Sequence, residues 1–79
     1  MADTPPPADT LQHLYDSEIN AEVRWVWDGG VAWRLGNEHS GWRAEGCAAT
    51  VALAVLELAK AAAAAFQDSE FAVWWRRAR

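Results

Sequence analysis

Apolar and polar side chains alternate along residues 19–28, a pattern typical of a half-buried β-strand. After two glycines the alternation resumes over residues 31–36. The two runs therefore predict a β-hairpin whose large apolar residues share one face. These residues are Ile19, Ala21, Val23, Trp25, Trp27, Val31, Trp33 and Leu35.

The loop of this hairpin is predicted to be Asp28-Gly29-Gly30. A two-residue turn would split the apolar side chains between the two faces, whereas a three-residue loop keeps them together. Such a loop needs a residue that tolerates positive φ at its last position, and glycine does so. The resulting register pairs Trp25 with Trp33 and Val23 with Leu35.

A third strand and two helices are predicted after the hairpin. Residues 36–41 (GNEHSG) form a polar turn by composition. Residues 42–46 then form a short antiparallel strand, with Trp42 and Ala44 facing the core and Arg43 facing water. Residues 47–66 are almost all good helix formers, and this helix starts at either Gly46 or Thr50. Its inward stripe comprises Val51, Ala54, Val55, Leu58, Ala61, Ala62 and Ala65.

The C-terminal residues 70–79 predict a short amphipathic helix, capped by residues 67–69. The expected fold class is α+β: a two- to three-stranded antiparallel sheet covered on one face by a long alanine-rich helix, followed by this short helix. Residues 1–14 are rich in Pro, Asp and Thr, which predicts a disordered tail. Residues 15–79 are predicted to form one small ββ(β)α domain.

The charge of the chain is −4 and is unevenly distributed. Residues 1–73 carry eleven carboxylates and four cations, whereas the last six residues carry three arginines. An acidic body argues against direct binding to nucleic acid, which needs clustered cations. It suits docking on a basic protein surface. The long helix is interrupted by Glu57 and Lys60 and makes a poor membrane span. The first ten residues lack the pattern of a signal peptide, so we expect a cytoplasmic location in the host cell.

Candidate catalytic chemistry is sparse in this sequence. Glu38 and His39 are adjacent in a polar loop, and no third group completes a triad or a metal site. The single Cys47 rules out an internal disulfide and is interpreted as a small buried residue. We therefore expect no catalytic residue, no metal, no cofactor and no enzymatic activity.

The six tryptophans are the unusual feature of the composition. A core of this size can hide three or four indoles, because each buries roughly 150–250 Å². Trp74 and Trp75 stand beside Arg76, and this combination is typical of interface hot spots. The uncovered sheet face is expected to carry Glu22 and Glu45. These five residues are the predicted partner-binding residues.

Several short segments resemble a set of small phage and prophage proteins with a strand–strand–helix pattern. They are residues 16–20 (DSEIN), 25–30 (WVWDGG), 35–38 (LGNE), 44–46 (AEG) and 68–71 (DSEF). The likeness covers about residues 15–72, and its motifs are turns and caps, so it implies no catalytic residue. Proteins of this size, charge and origin are similar in kind to anti-CRISPR inhibitors, which occupy surfaces of nucleic-acid-binding effector complexes.

The first hypothesis is therefore a non-enzymatic, phage-encoded inhibitor of the anti-CRISPR kind, which binds a host protein or a CRISPR effector subunit. The alternative is a homodimeric structural or accessory phage protein that uses the same aromatic surface for self-assembly. A third hypothesis is a nucleic-acid binder that uses the terminal WWRRAR with Arg24, Arg34 and Arg43. The acidic body argues against this third possibility.

Overall fold

The computed structural model describes residues 4–78, which form three helices and three strands. In chain order these are α1 (Pro7–Asp16), β1 (Ala21–Val26), β2 (Gly30–Asn37), β3 (Gly41–Ala48), α2 (Val51–Ala65) and α3 (Glu70–Ala78). The strands form one antiparallel sheet in the order β1-β2-β3. The predicted α+β class, the three-stranded sheet, the long alanine-rich helix on one face and the short C-terminal helix are confirmed.

Helix α2 covers one face of β2 and β3, and α1 and α3 pack beside it. Its small side chains Ala54, Ala59 and Ala62 are buried, which brings the helix close to the large residues of the sheet. The Thr50 hydroxyl accepts a hydrogen bond from Leu53 N–H at 3.1 Å. Thr50 is thus the N-cap, which is one of the two predicted starts, and the helix spans Val51–Ala65. At the ends of the predicted inward stripe, Val51 and Ala65 are exposed.

The hairpin has the predicted faces but a different register. Trp25 pairs with Val31 and Val23 pairs with Trp33, so the predicted Trp25–Trp33 pair is wrong. The three-residue loop is 27–29, one residue earlier than predicted, because Gly29 N–H bonds the Val26 carbonyl at 2.7 Å. Gly30 follows this turn with φ of 85°, which confirms the need for positive φ at that position.

A β-bulge in β3 reverses two predicted orientations. Leu35 pairs with Ala44 and Gly36 with Trp42, so Arg43 is an extra residue in β3. Trp42 therefore lies on the face away from α2, not in the core. Arg43 turns to the helix side, where its guanidinium lies 5.1 Å from the centre of the Phe66 ring. Cys47, predicted to be buried at a helix start, is exposed in β3.

The predicted disorder of residues 1–14 is wrong where α1 forms. Pro7 occupies its first turn, where a missing N–H costs nothing. Thr10 and Leu14, four residues apart, are both buried, and α1 packs against α2 and α3. These two buried side chains are enough for α1 to pack, because α2 and α3 already form a surface on which it can dock. Residues 1–3 of the predicted tail lie outside the described residues.

None of the helices within residues 4–78 has the length and apolar character needed to cross a membrane.

Candidate protein-binding surface

The predicted binding residues lie in two separate layers of the molecule. Glu22 and Glu45 belong to the sheet, whereas Trp74, Trp75 and Arg76 belong to α3. Helix α3 packs on α2 and α1, whereas the two glutamates lie on the sheet face away from α2. The structure therefore does not bring the five residues together into one site.

The sheet face away from α2, here called the outer face, is not covered by any described helix. The strand register places Glu22, Arg34 and Glu45 side by side across the three strands. Arg34 Nε lies 3.5 Å from Glu45 Oε1, and its guanidinium lies 4.8 Å from the centre of the Trp42 ring. The outer face comprises Glu22, Arg24, Val26, Ala32, Arg34, Trp42, Glu45 and Cys47.

The carboxylates of the outer face have arginine partners within the chain. Glu22 Oε1 lies 3.9 Å from Arg24 Nε. In this pair and in the Arg34–Glu45 pair one side chain is largely exposed (Arg24 and Glu45) and the other is partly exposed (Glu22 and Arg34). Exposed pairs of this kind contribute only about 0–1 kcal/mol each. They can therefore be exchanged for cations of a partner at little cost.

The terminal tryptophan pair belongs to the core. Trp75, predicted to be an exposed anchor, is only 2% exposed and packs against Phe71 with a ring separation of 6.2 Å. Trp74 is half-buried, and His13 of α1 stacks on it at 3.9 Å. The prediction of Trp75 as an interface residue is therefore wrong, because α1 and α2 complete a helical layer that encloses its ring.

Arg76 also has a contact within the chain. Its guanidinium donates to the carbonyl of Gln67 with both terminal nitrogens at 3.4 Å. This contact satisfies a carbonyl just beyond the end of α2. The side chain remains exposed.

The two most exposed tryptophans within the described residues are at the β1–β2 turn, where core residues were predicted. Trp27 is 90% exposed, Trp25 is 61% exposed and Val26 is 67% exposed. Helix α2 lies over β2 and β3, so the end of β1 projects beyond its cover. These three residues with Asp28 form a surface that we call the hairpin tip. The only sequence signal for it was the excess of indoles over what the core can hold.

The loop that carries Glu38 and His39 is built by local hydrogen bonds. The Asn37 side-chain oxygen accepts from the backbone N–H groups of His39 and Ser40, both at 2.8 Å. The Glu38 and His39 side chains are exposed. Within residues 4–78, no three His, Cys, Asp or Glu side chains are grouped so that they could hold a metal ion.

The described arginines of the third hypothesis are dispersed, and Arg79 lies outside the described residues. Arg24 and Arg34 lie on the outer face beside carboxylates, Arg43 turns towards Phe66, and Arg76 and Arg77 are on α3. Binding to a nucleic-acid backbone needs a contiguous basic surface. The described arginines do not form such a surface.

Comparison of the chain with protein-family models, with curated proteins and with solved structures finds no match.

Proposed function

We propose that this chain is a non-enzymatic inhibitor that binds a subunit of a host effector complex of the CRISPR type through its hairpin tip. The observation that carries the proposal is the exposure of two neighbouring indoles, Trp25 and Trp27, at the end of a strand. Exposed tryptophan is costly in water and is enriched among hot spots of protein interfaces. The partner is thus a protein that buries this tip.

Charge supports the choice of partner. Asp28 adjoins Trp27 at the tip, and the outer face next to it contributes Glu22 and Glu45. The net charge of the chain is −4. Proteins that hold nucleic acid present clusters of Lys and Arg. A chain of negative net charge with an aromatic anchor complements such a cluster, and its outer-face glutamates can exchange Arg24 and Arg34 for cations of the partner. The resemblance to short phage proteins directs the proposal to an effector complex of the host.

Inhibition would result from occupation of the nucleic-acid-binding surface of the effector by this chain. If the tip and the outer face cover basic residues that otherwise contact phosphates, nucleic acid and inhibitor compete for one surface. The chain would then need no catalytic group. Its affinity would come from indole burial, and the charges would mainly accelerate and orient the encounter.

The test is a competition experiment with a purified CRISPR effector complex and a fluorescently labelled target nucleic acid. The wild-type chain is expected to displace the nucleic acid in a dose-dependent manner. Trp27→Ser is expected to weaken displacement at least about thirty-fold, since a hot-spot residue contributes about 2 kcal/mol or more. Val73→Ser, at an exposed apolar position of α3, is the matched control and should compete like the wild type.

Two results count against the proposal. If the folded wild-type chain leaves nucleic-acid binding unchanged at saturating concentration, the inhibitor function is wrong for that effector class. If Trp27→Ser competes as well as the wild type while the wild type is active, the hairpin tip is not the binding surface. Far-UV circular dichroism of each variant establishes that the fold is retained.

A further inference from the structure

The free edge of β1 is a regular, unprotected strand. Within the described residues β1 pairs with β2 on one side only, and this pairing runs over all six residues without a bulge. Natural edge strands are usually blunted by charged side chains, Lys above all, by Pro or by a bulge. Residues 21–26 (AEVRWV) contain neither Lys nor Pro, and their two charged residues, Glu22 and Arg24, have opposite signs. The edge is therefore open to another strand.

The backbone groups at this edge can be assigned from the ladder. Gly36 N–H donates to the Asn20 carbonyl at 2.7 Å. Hydrogen-bonded pairs alternate along an antiparallel ladder, so the even residues of β1 point their backbone groups at β2. The N–H and C=O groups of Ala21, Val23 and Trp25 consequently point outward from the sheet.

The charges of β1 are self-complementary in one antiparallel register. If a two-fold axis passes through Val23, Glu22 lies opposite Arg24 of the second copy, and Arg24 lies opposite the second Glu22. An axis at Glu22 or at Arg24 would instead place like charges opposite each other, which is destabilising. The axis at Val23 also matches the backbone, because it pairs outward-pointing residues with one another.

The same register gives Trp25 a neighbour. Its indole lies on the α2 side of the sheet but beyond the helix, and it is 61% exposed. In the paired arrangement Trp25 lies opposite Ala21 of the second copy, whose small side chain leaves space for the ring. Helix α2 packs on β2 and β3, so it does not obstruct the approach of a second β1.

We propose that two copies of this chain pair through β1 in antiparallel orientation, with the two-fold axis at Val23, to form one six-stranded sheet. This inference goes beyond the proposed function, since it concerns the strand edge and a second copy rather than the host target. Trp27 lies four residues from the axis, so the dimer presents one Trp27 at each end.

Sedimentation equilibrium of charge variants tests the register. The wild type is expected to dimerise as its concentration rises from about 1 µM to about 1 mM. Dissociation constants in this range correspond to weak to moderate association. Arg24→Glu opposes two carboxylates and should raise the dissociation constant at least tenfold. Glu22→Arg should do the same, and the double swap should restore dimerisation. Arg77→Glu, the same charge change on α3, is the control and should dimerise normally.

A wild type that remains monomeric at the highest concentration overturns the proposal, as does an Arg24→Glu variant that dimerises like the wild type. Circular dichroism checks the fold of the Glu22→Arg variants, because the introduced guanidinium would face Arg34 in its own chain. If these variants do not fold, the Arg24→Glu variant and a distance measurement between the two Cys47 residues of the dimer test the proposal. Neither readout involves a host target, so this proposal and the proposed function can fail separately.

A spin label on the natural Cys47 measures the arrangement directly, because this thiol is exposed on β3. Two β3 strands in the six-stranded sheet are five strand spacings apart, so the two Cys47 Cα atoms should be about 25 Å apart. A label distance distribution centred near this value, allowing for the label linkers, supports pairing through β1. A distribution below about 15 Å would mean that the β3 edges meet, which contradicts the proposal.

Discussion

Replacing Gly46 by alanine tests the packing that holds the sheet against α2. Gly46 pairs with Trp33, and an added Cβ would lie 2.8 Å from Cζ2 and 2.9 Å from Cε2 and Nε1 of that ring. The ring is buried, and its Nε1 donates to the Glu57 carboxylate at 3.0 Å. Because close-packed interiors transmit such overlap, the ring or the strand must move.

The expected destabilisation is about 1–3 kcal/mol, the usual cost of one extra carbon in a packed core. For a domain of this size that corresponds to a fall in Tm of roughly 5–20 °C. Urea and thermal unfolding followed by far-UV circular dichroism measure both quantities. Gly29→Ala is the matched control, since its Cβ would meet Val26 Cβ at an ordinary 3.6 Å. Its stability should stay within about 0.5 kcal/mol of the wild type.

A Gly46→Ala variant as stable as Gly29→Ala would refute the reasoning, because it would show that the Trp33 ring is free to shift. The double variant Gly46→Ala/Trp33→Phe provides a second check. Trp33→Phe removes the indole atoms that the alanine would meet, so the cost of the alanine should fall in that background. Additive effects would mean that the cost arises elsewhere.

Further substitutions test the assignment of core and surface. Trp75→Ala should lower the free energy of unfolding by about 3–5 kcal/mol in a urea titration because its indole is buried. Trp27→Ala should change it by less than about 0.5 kcal/mol. Equal effects of the two substitutions would contradict the assignment. Leu14→Ala should cost about 2–5 kcal/mol, and a neutral result would mean that α1 does not dock. Thr50→Ala should cost about 1 kcal/mol through loss of the N-cap, with Thr50→Ser as the conservative control.

The period-two alternation was sufficient to predict the hairpin and its faces but not its register. A shift of two residues leaves every side chain on its face, so pairing Trp25 with Trp33 or with Val31 satisfies the same pattern. The turn fixes the register, because the hydrogen bond from Gly29 N–H to the Val26 carbonyl closes the loop one residue earlier than predicted. No hydrophobic pattern contains that information.

The candidate surface was harder to predict than the fold. Which tryptophans are exposed depends on how far α2 extends sideways over the sheet, and this is a tertiary property. Trp27 and Trp75 consequently exchanged their expected roles of core and surface. The bulge at Arg43 likewise could not be predicted from the composition of β3, yet it places Trp42 on the outer face. Helix α1 was missed because only Thr10 and Leu14 of its residues are buried.

The measurement that tests the central claim most directly is a capture experiment from a lysate that contains active CRISPR effector complexes. Tagged wild type and Trp27→Ser are compared after nuclease treatment and a high-salt wash, with quantitative mass spectrometry as the readout. We predict that the wild type retains an effector subunit in stoichiometric amount and that Trp27→Ser loses it. Recovery of the bait alone, or equal recovery of the subunit by both proteins, would contradict the claim that the hairpin tip binds a host effector.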